Sequence, residues 1–192
     1  MLITQNGKKE YELAPEGMIA AVCVDVIDLG EAMGVQPDDL GRYCVPSKNP
    51  AWEPKPRARL VFELETKMQD GRPFTISADF PASIFKPEPG QTGQIAKLRD
   101  NLDNWGVELP TEGNIDLKGL LLGKGATLRI KHDPDDNGRV WANVSTINPE
   151  TKALEPSGEW DPTVARDRIK ERALKSTVKA ATDAVTEDNQ PY

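Results

Sequence analysis

Three strands, one amphipathic helix and two further strands, in that order within about the first 150 residues, constrain this chain more than any single residue does. From about Gly17 to Leu29 apolar side chains recur at alternate positions, with Met18, Ala20, Val22, Val24 and Val26 on one face. Pro15-Glu16-Gly17 opens this first strand as a turn, and Asp25 and Asp28 close its far end. The second strand, Arg57 to Glu65, points Ala58, Leu60, Phe62 and Leu64 inward, and Arg57, Arg59, Val61, Glu63 and Glu65 outward. Gln69-Asp70-Gly71 is a tight hairpin turn. The third strand then places Phe74, Ile76, Ala78 and Phe80 in, and Thr75, Ser77 and Asp79 out. Pro81 and Pro87-Glu88-Pro89-Gly90 end that segment.

Spacings of three and four between Ile95, Leu98, Leu102 and Trp105 predict a helix, with Thr92 as N-cap and Gly106 as its stop. A short helical turn is expected over Asp116 to Leu122. Strand four, Ala126 to Lys131, buries Ala126, Leu128 and Ile130 and shows Thr127, Arg129 and Lys131. The turn Asp133-Pro134-Asp135-Asp136-Asn137-Gly138 leads into strand five, Val140 to Ile147. This order is that of a five-stranded oligonucleotide/oligosaccharide-binding (OB) barrel. The expected fold is therefore mainly β, with a helix between strands three and four and a C-terminal helical or flexible extension. Residues 1–150 form the expected binding domain. Residues 151–192 are read as a linker around Pro156-Ser157-Gly158, a helix opened by Asp161-Pro162, and an acidic tail.

The long connection from Gly30 to Pro56 carries Pro37, Pro46, Pro50 and Pro54, a density that excludes a helix or a central strand. Loops of that length in compact domains are usually functional or disordered. Nothing in the sequence reaches the roughly 18 apolar residues that span a bilayer, and no signal peptide is legible, so a cytoplasmic protein without membrane contact is expected. For a phage-encoded chain that compartment is the host cytoplasm. Cys23 and Cys44 are too few for a disulfide framework. The formal net charge is −7, and the basic and acidic residues beyond Asp161 balance, so the excess lies in the body. An acidic protein that binds nucleic acid must gather its cations on one face.

Catalysis is not expected. His132 is the single histidine and stands at a strand end with no nucleophile in sequence reach. The Asp133–Gly138 turn offers oxygen ligands, but Val144 stands where a calcium loop requires a bidentate glutamate. No metal or cofactor is expected. What remains is an outward set of cations and aromatics. Arg57 and Arg59 on strand two lie beside Thr75 and Ser77 on strand three; Arg129 and Lys131 are on strand four, and Trp141 is on strand five. Tyr43 and Trp52 belong to the long first connection. Cations for phosphates and rings for bases are what single-strand binding requires, each stacked base contributing about 1–3 kcal/mol.

The terminal residues Glu187-Asp188-Asn189-Gln190-Pro191-Tyr192 resemble the tail tip of single-stranded-DNA-binding proteins, where acidic residues close on Pro-Phe. With the phrases from Leu13 to Gly30, Gly71 to Ser77, Leu98 to Gly106 and Ala142 to Ile147, the chain resembles a bacteriophage-type OB-fold single-stranded-DNA-binding protein. The resemblance implies a non-sequence-specific coat for single-stranded DNA in replication or recombination. It also implies that Glu187, Asp188, Pro191 and Tyr192 recruit partner proteins, and it leaves room for a homo-oligomer. The alternative is an OB-type protein-interaction module, such as a phage factor acting on a host enzyme, that binds no nucleic acid.

Overall fold

The computed structural model describes residues 12–49 and 51–187, with side chains described as far as Ser176. It is mainly β. The elements run β1 (Gly17–Asp28), α1 (Leu29–Ala32), β2 (Arg57–Lys67), β3 (Pro73–Pro81), α2 (Lys97–Trp105), α3 (Leu117–Leu121), β4 (Gly125–Pro134), β5 (Val140–Pro149) and α4 (Pro162–Glu187). The five strands form one antiparallel sheet in the order β3-β2-β1-β4-β5.

β1 is the hub. Its first half, Gly17 to Val22, pairs with β4, and its second half, Ala21 to Asp28, pairs with β2. Between Cys23 and Asp25 the register slips by one residue, a bulge at Val24 that bends the strand from one neighbour to the other. The bulge corrects the expected phase of the strand. Ile19, Ala21 and Cys23 face the core, and only after the slip does Val26 join them. Met18, placed inward by simple alternation, is 58% exposed.

β3 and β5 approach each other at the far edges. Among the described residues no ladder joins them, so the sheet curls without closing into a barrel. α2 packs against both edge strands. Leu98, Leu102 and Trp105 are buried along its one apolar stripe. The Trp105 ring meets Phe62 at 5.6 Å between centroids, and its indole N–H donates to the Gly125 carbonyl at 2.7 Å. Gly106 ends α2 in the left-handed conformation, φ 73°, as the sequence predicts. The start differs: α2 begins after Ala96 with no side-chain cap, because Gly93, at φ 156°, breaks the helical backbone that Thr92 would have capped.

The C-terminal segment does not leave the sheet at residue 150. Thr151 bonds to buried Thr127 through its backbone N–H at 3.1 Å and its hydroxyl at 3.0 Å. Lys152 reaches Glu65 at 2.6 Å. Trp160, Ala165 and Ile169 then pack on a second apolar cluster of Ile27, Leu29, Ala32 and Val61, on the outer face of β1 and β2. β1 is thus buried on both faces, which is why its sequence reads as an almost unbroken apolar run.

Candidate nucleic-acid interface

Two carboxylates on the outer face of β1 and β2 decide what that face can do. Asp25 and Glu63 are 1% and 3% exposed. Arg166 of α4 holds Asp25 with two bonds, Nη1 to Oδ2 at 2.7 Å and Nη2 to Oδ1 at 3.1 Å, while the Trp160 indole N–H donates to Oδ2 at 3.1 Å. Burial alone would push the Asp25 carboxyl up. The hydrogen bonds from Arg166 and Trp160 and the guanidinium charge outweigh it and hold the carboxyl below its ordinary value. Glu63 accepts the Ser157 backbone N–H at 2.8 Å and its hydroxyl at 2.9 Å. The centre of this face is therefore acidic, satisfied from within, and covered by the chain's own residues 151–170.

That arrangement separates the expected contact residues into two wings. On the β2–β3 wing, Arg59 stands opposite Asp79 rather than beside Thr75 and Ser77, and the two form a bidentate pair at 2.6 and 2.8 Å. Thr75 and Ser77 are exposed but face Glu63 and Val61 across the ladder. The hairpin register, set by the turn at Gln69–Gly71, puts the two hydroxyls nearer the turn than the arginines. Arg57 is exposed at the β2 entrance, opposite Pro81.

The β4–β5 wing is open. Arg129 and Lys131 are exposed, and among the described residues neither is in an ion pair. Met18 pairs with Arg129 across β1 and β4, and Asn143 pairs with Lys131 across β4 and β5. Trp141 is 46% exposed. Its indole N–H donates to Asp135 Oδ2 at 3.0 Å, and the Arg139 guanidinium lies 5.1 Å from its ring centroid. The Trp141 bond, followed by the backbone N–H groups of Arg139 and Asn137, holds the Asp135 carboxyl below its ordinary value. The Asp133–Gly138 turn thus acts as a bracket that orients an exposed ring. Met18 and Arg139 are parts of this wing that the sequence reading missed. The first was assigned to the core by the wrong phase, and the second lay in a turn.

Tyr43 is half-buried, its backbone and Cβ lying against Gly30 of α1. Trp52 is 68% exposed, in a loop pinched by a single bridge between Val45 and Lys55. Of the tail residues, Asp188, Pro191 and Tyr192 lie outside the described residues, and Glu187 is described only as the last backbone position of α4. No protein-family model matches the chain, and no curated protein is significantly similar to it. Among the described residues no helix is long and apolar enough to cross a membrane.

Proposed function

We propose that this chain is a non-sequence-specific single-stranded-DNA-binding protein of the bacteriophage OB type, and that its strand-binding surface is the outer face of β4 and β5. The observation that carries this reading is the open wing itself. Among the described residues Arg129 and Lys131 have no ion-pair partner there, and Trp141 is held out beside them by Asp135 and Arg139. Two cations and an oriented ring on adjacent strands match the chemistry of a stretched single strand, phosphates on the cations and a base on the indole. The OB reading of the fold is supported by the strand order, by a bulged β1 shared between β2 and β4, and by a helix that fills the gap between β3 and β5. The acidic Pro-Tyr tail would recruit replication or recombination proteins.

A titration of fluorescently labelled oligo-dT at low and high salt tests this. Binding is expected to weaken steeply with salt, since each phosphate contact adds about 0.7 to the slope of log affinity against log salt. Arg129→Ala with Lys131→Ala should lower that slope by about 1.4. Trp141→Ala should weaken binding by about 1–3 kcal/mol with little change in slope. No binding by the wild-type chain at low salt refutes the proposal.

One observation favours a second reading, a protein-interaction module. Val164 and Leu174 of α4 are exposed apolar side chains, at 44% and 67%. If α4 serves a protein partner alone, Leu174→Glu removes that partner and oligo-dT binding is absent from the start.

A further inference from the structure

A second concavity lies away from the β4–β5 wing. It is a cleft of about 530 Å³ where the end of β1, the start of β2, α1, α3 and α4 meet. Four cations line it, Arg57 from β2, Lys118 from α3, and Arg166 and Lys170 from α4, with Asp28, Glu31 and Asp116 as the acidic side chains. Their commitments differ. Arg166 is bound to Asp25 by two hydrogen bonds. Asp28 Oδ1 accepts the backbone N–H groups of Gly30 and Glu31, and Asp116 Oδ1 accepts that of Gly119, so both are turned onto helix ends. Arg57, Lys118 and Lys170 are exposed, and among the described residues none of them pairs with a carboxylate. Three cations from three separate elements, without an ion-pair partner among the described residues, thus converge on one cleft; Asp28 and Asp116 keep their charge but turn it onto backbone N–H groups, and the Glu31 charge acts on Arg166.

We infer that this cleft is a second phosphate-binding seat, one that carries the sugar-phosphate backbone of a single strand past Arg57, Lys118 and Lys170. The inference rests on the nucleic-acid reading given above and extends it to residues outside the sheet. An aromatic loop beside the cleft favours a nucleic acid over an acidic peptide. Pro56 lines the cleft and continues directly into Lys55, the bridge residue that closes the loop bearing Trp52. Tyr43 of the same loop lies on Gly30, next to the cleft residue Glu31. Cations on one side and an exposed indole on the other are the pairing that a base-bearing chain uses and a polyglutamate does not. The lysines and Arg57 hold the backbone as donors. The docked first turns of α4 therefore serve as a wall of the site, fixed in place by the Asp25–Arg166 pair.

The test is the triple variant Arg57→Ala, Lys118→Ala, Lys170→Ala, titrated with oligo-dT over a salt series beside the wild type and a Lys97→Ala control on α2. All three side chains are exposed, and an unchanged circular dichroism spectrum and melting temperature will verify the fold. The expected result is a fall of about 2 in the salt slope, additive with that of Arg129→Ala and Lys131→Ala, and unchanged behaviour for the control. Lys118 and Lys170 should also be protected from acetylation when oligo-dT is bound. If wild type binds but the triple variant keeps its affinity and slope, the cleft is overturned and the strand-binding function stands. If wild type does not bind, the function falls and the cleft with it. Binding of oligo-glutamate that is abolished in the triple variant, with oligo-dT binding unaffected, would also overturn the inference and assign the cleft to an acidic peptide.

Discussion

Replacing Arg166 with methionine should destabilise the whole domain, although Arg166 lies beyond the strands in an extension the sequence reads as an appendage. Asp25 is 1% exposed and accepts three hydrogen bonds, two of them from Arg166. Removing one partner of a buried ion pair commonly costs about 3–5 kcal/mol, because the remaining charge is neither solvated nor paired. Two features reduce that figure. The Trp160 N–H stays on Oδ2, and the Arg166 side chain is itself 29% exposed, so water can reach the vacated position. A loss of about 2–3 kcal/mol is expected, lowering the melting temperature by about 5–10 °C in a domain of this size. Urea unfolding at neutral pH measures it, and Asp25→Asn in the Arg166→Met background should return at least half of the loss. The pH dependence gives a second check. The Asp25 carboxyl in the wild type lies below its ordinary value, so its contribution is full above about pH 4 and is lost as pH falls through the folded value. In Arg166→Met, burial is opposed only by the Trp160 hydrogen bond and the weaker Lys118 charge, and the carboxyl rises, so acid relieves the variant. The difference between the two proteins must therefore narrow towards about pH 3. A loss below about 0.5 kcal/mol at neutral pH, or a gap that does not narrow in acid, refutes the argument.

Three further outcomes follow from single sites. Cys23 is fully buried and its thiol is pushed up to about 12 by desolvation, so a thiol reagent should label Cys44 in the native protein and reach Cys23 only on unfolding. Trp105→Phe removes the donor from the Gly125 carbonyl and leaves a void beside Phe62, and chemical denaturation should register a loss of about 2–3 kcal/mol. Gly30→Ala would place a methyl group 2.6 Å from Tyr43 Cβ and 2.9 Å from its carbonyl carbon, so the loop must shift off α1. That should cost about 1–3 kcal/mol and weaken oligo-dT binding through Trp52.

The strands were legible where one face is solvated and opaque where neither is. In β3 the pattern alternates cleanly from Phe74 to Phe80, and the structure has the same phase. In β1 the alternation is lost, because Ala20 and Val22 on one face are buried like Ala21 and Cys23 on the other. A bulge at Val24 then inverts the phase, and no local signal announces it. In β2 the directions of Val61 and Glu63 were read correctly as outward, yet both are buried, since what covers them lies some ninety residues later. Arg59 was read as free because its partner, Asp79, is set by a hairpin register that slips between Glu63 and Lys67. Trp141 and its cationic neighbours were legible as types. The Asp135 bracket that makes them a site required the turn to be seen in three dimensions.

The covered face removes two carboxylates from the surface of an acidic chain. Asp25 and Glu63 are sealed beneath the C-terminal segment, and Glu65, Asp79 and Asp103 are each paired with a lysine or arginine. Apart from Glu63, whose bonds come from Ser157, these carboxylates are neutralised over short distances, and beyond a Debye length of about 8 Å at physiological salt they have little effect on an approaching strand. The cations at Arg129, Lys131, Arg57, Lys118 and Lys170 have no such partners among the described residues and keep their fields outward. Each ion pair cancels one positive charge with one negative, so the formal −7 stays on the unpaired groups, and what favours a strand is the grouping of the unpaired cations on the β4–β5 wing and in the cleft. A chain that breaks the Asp25–Arg166 match should lose part of that grouping along with its stability, because Lys170 is carried on the same docked turns of α4.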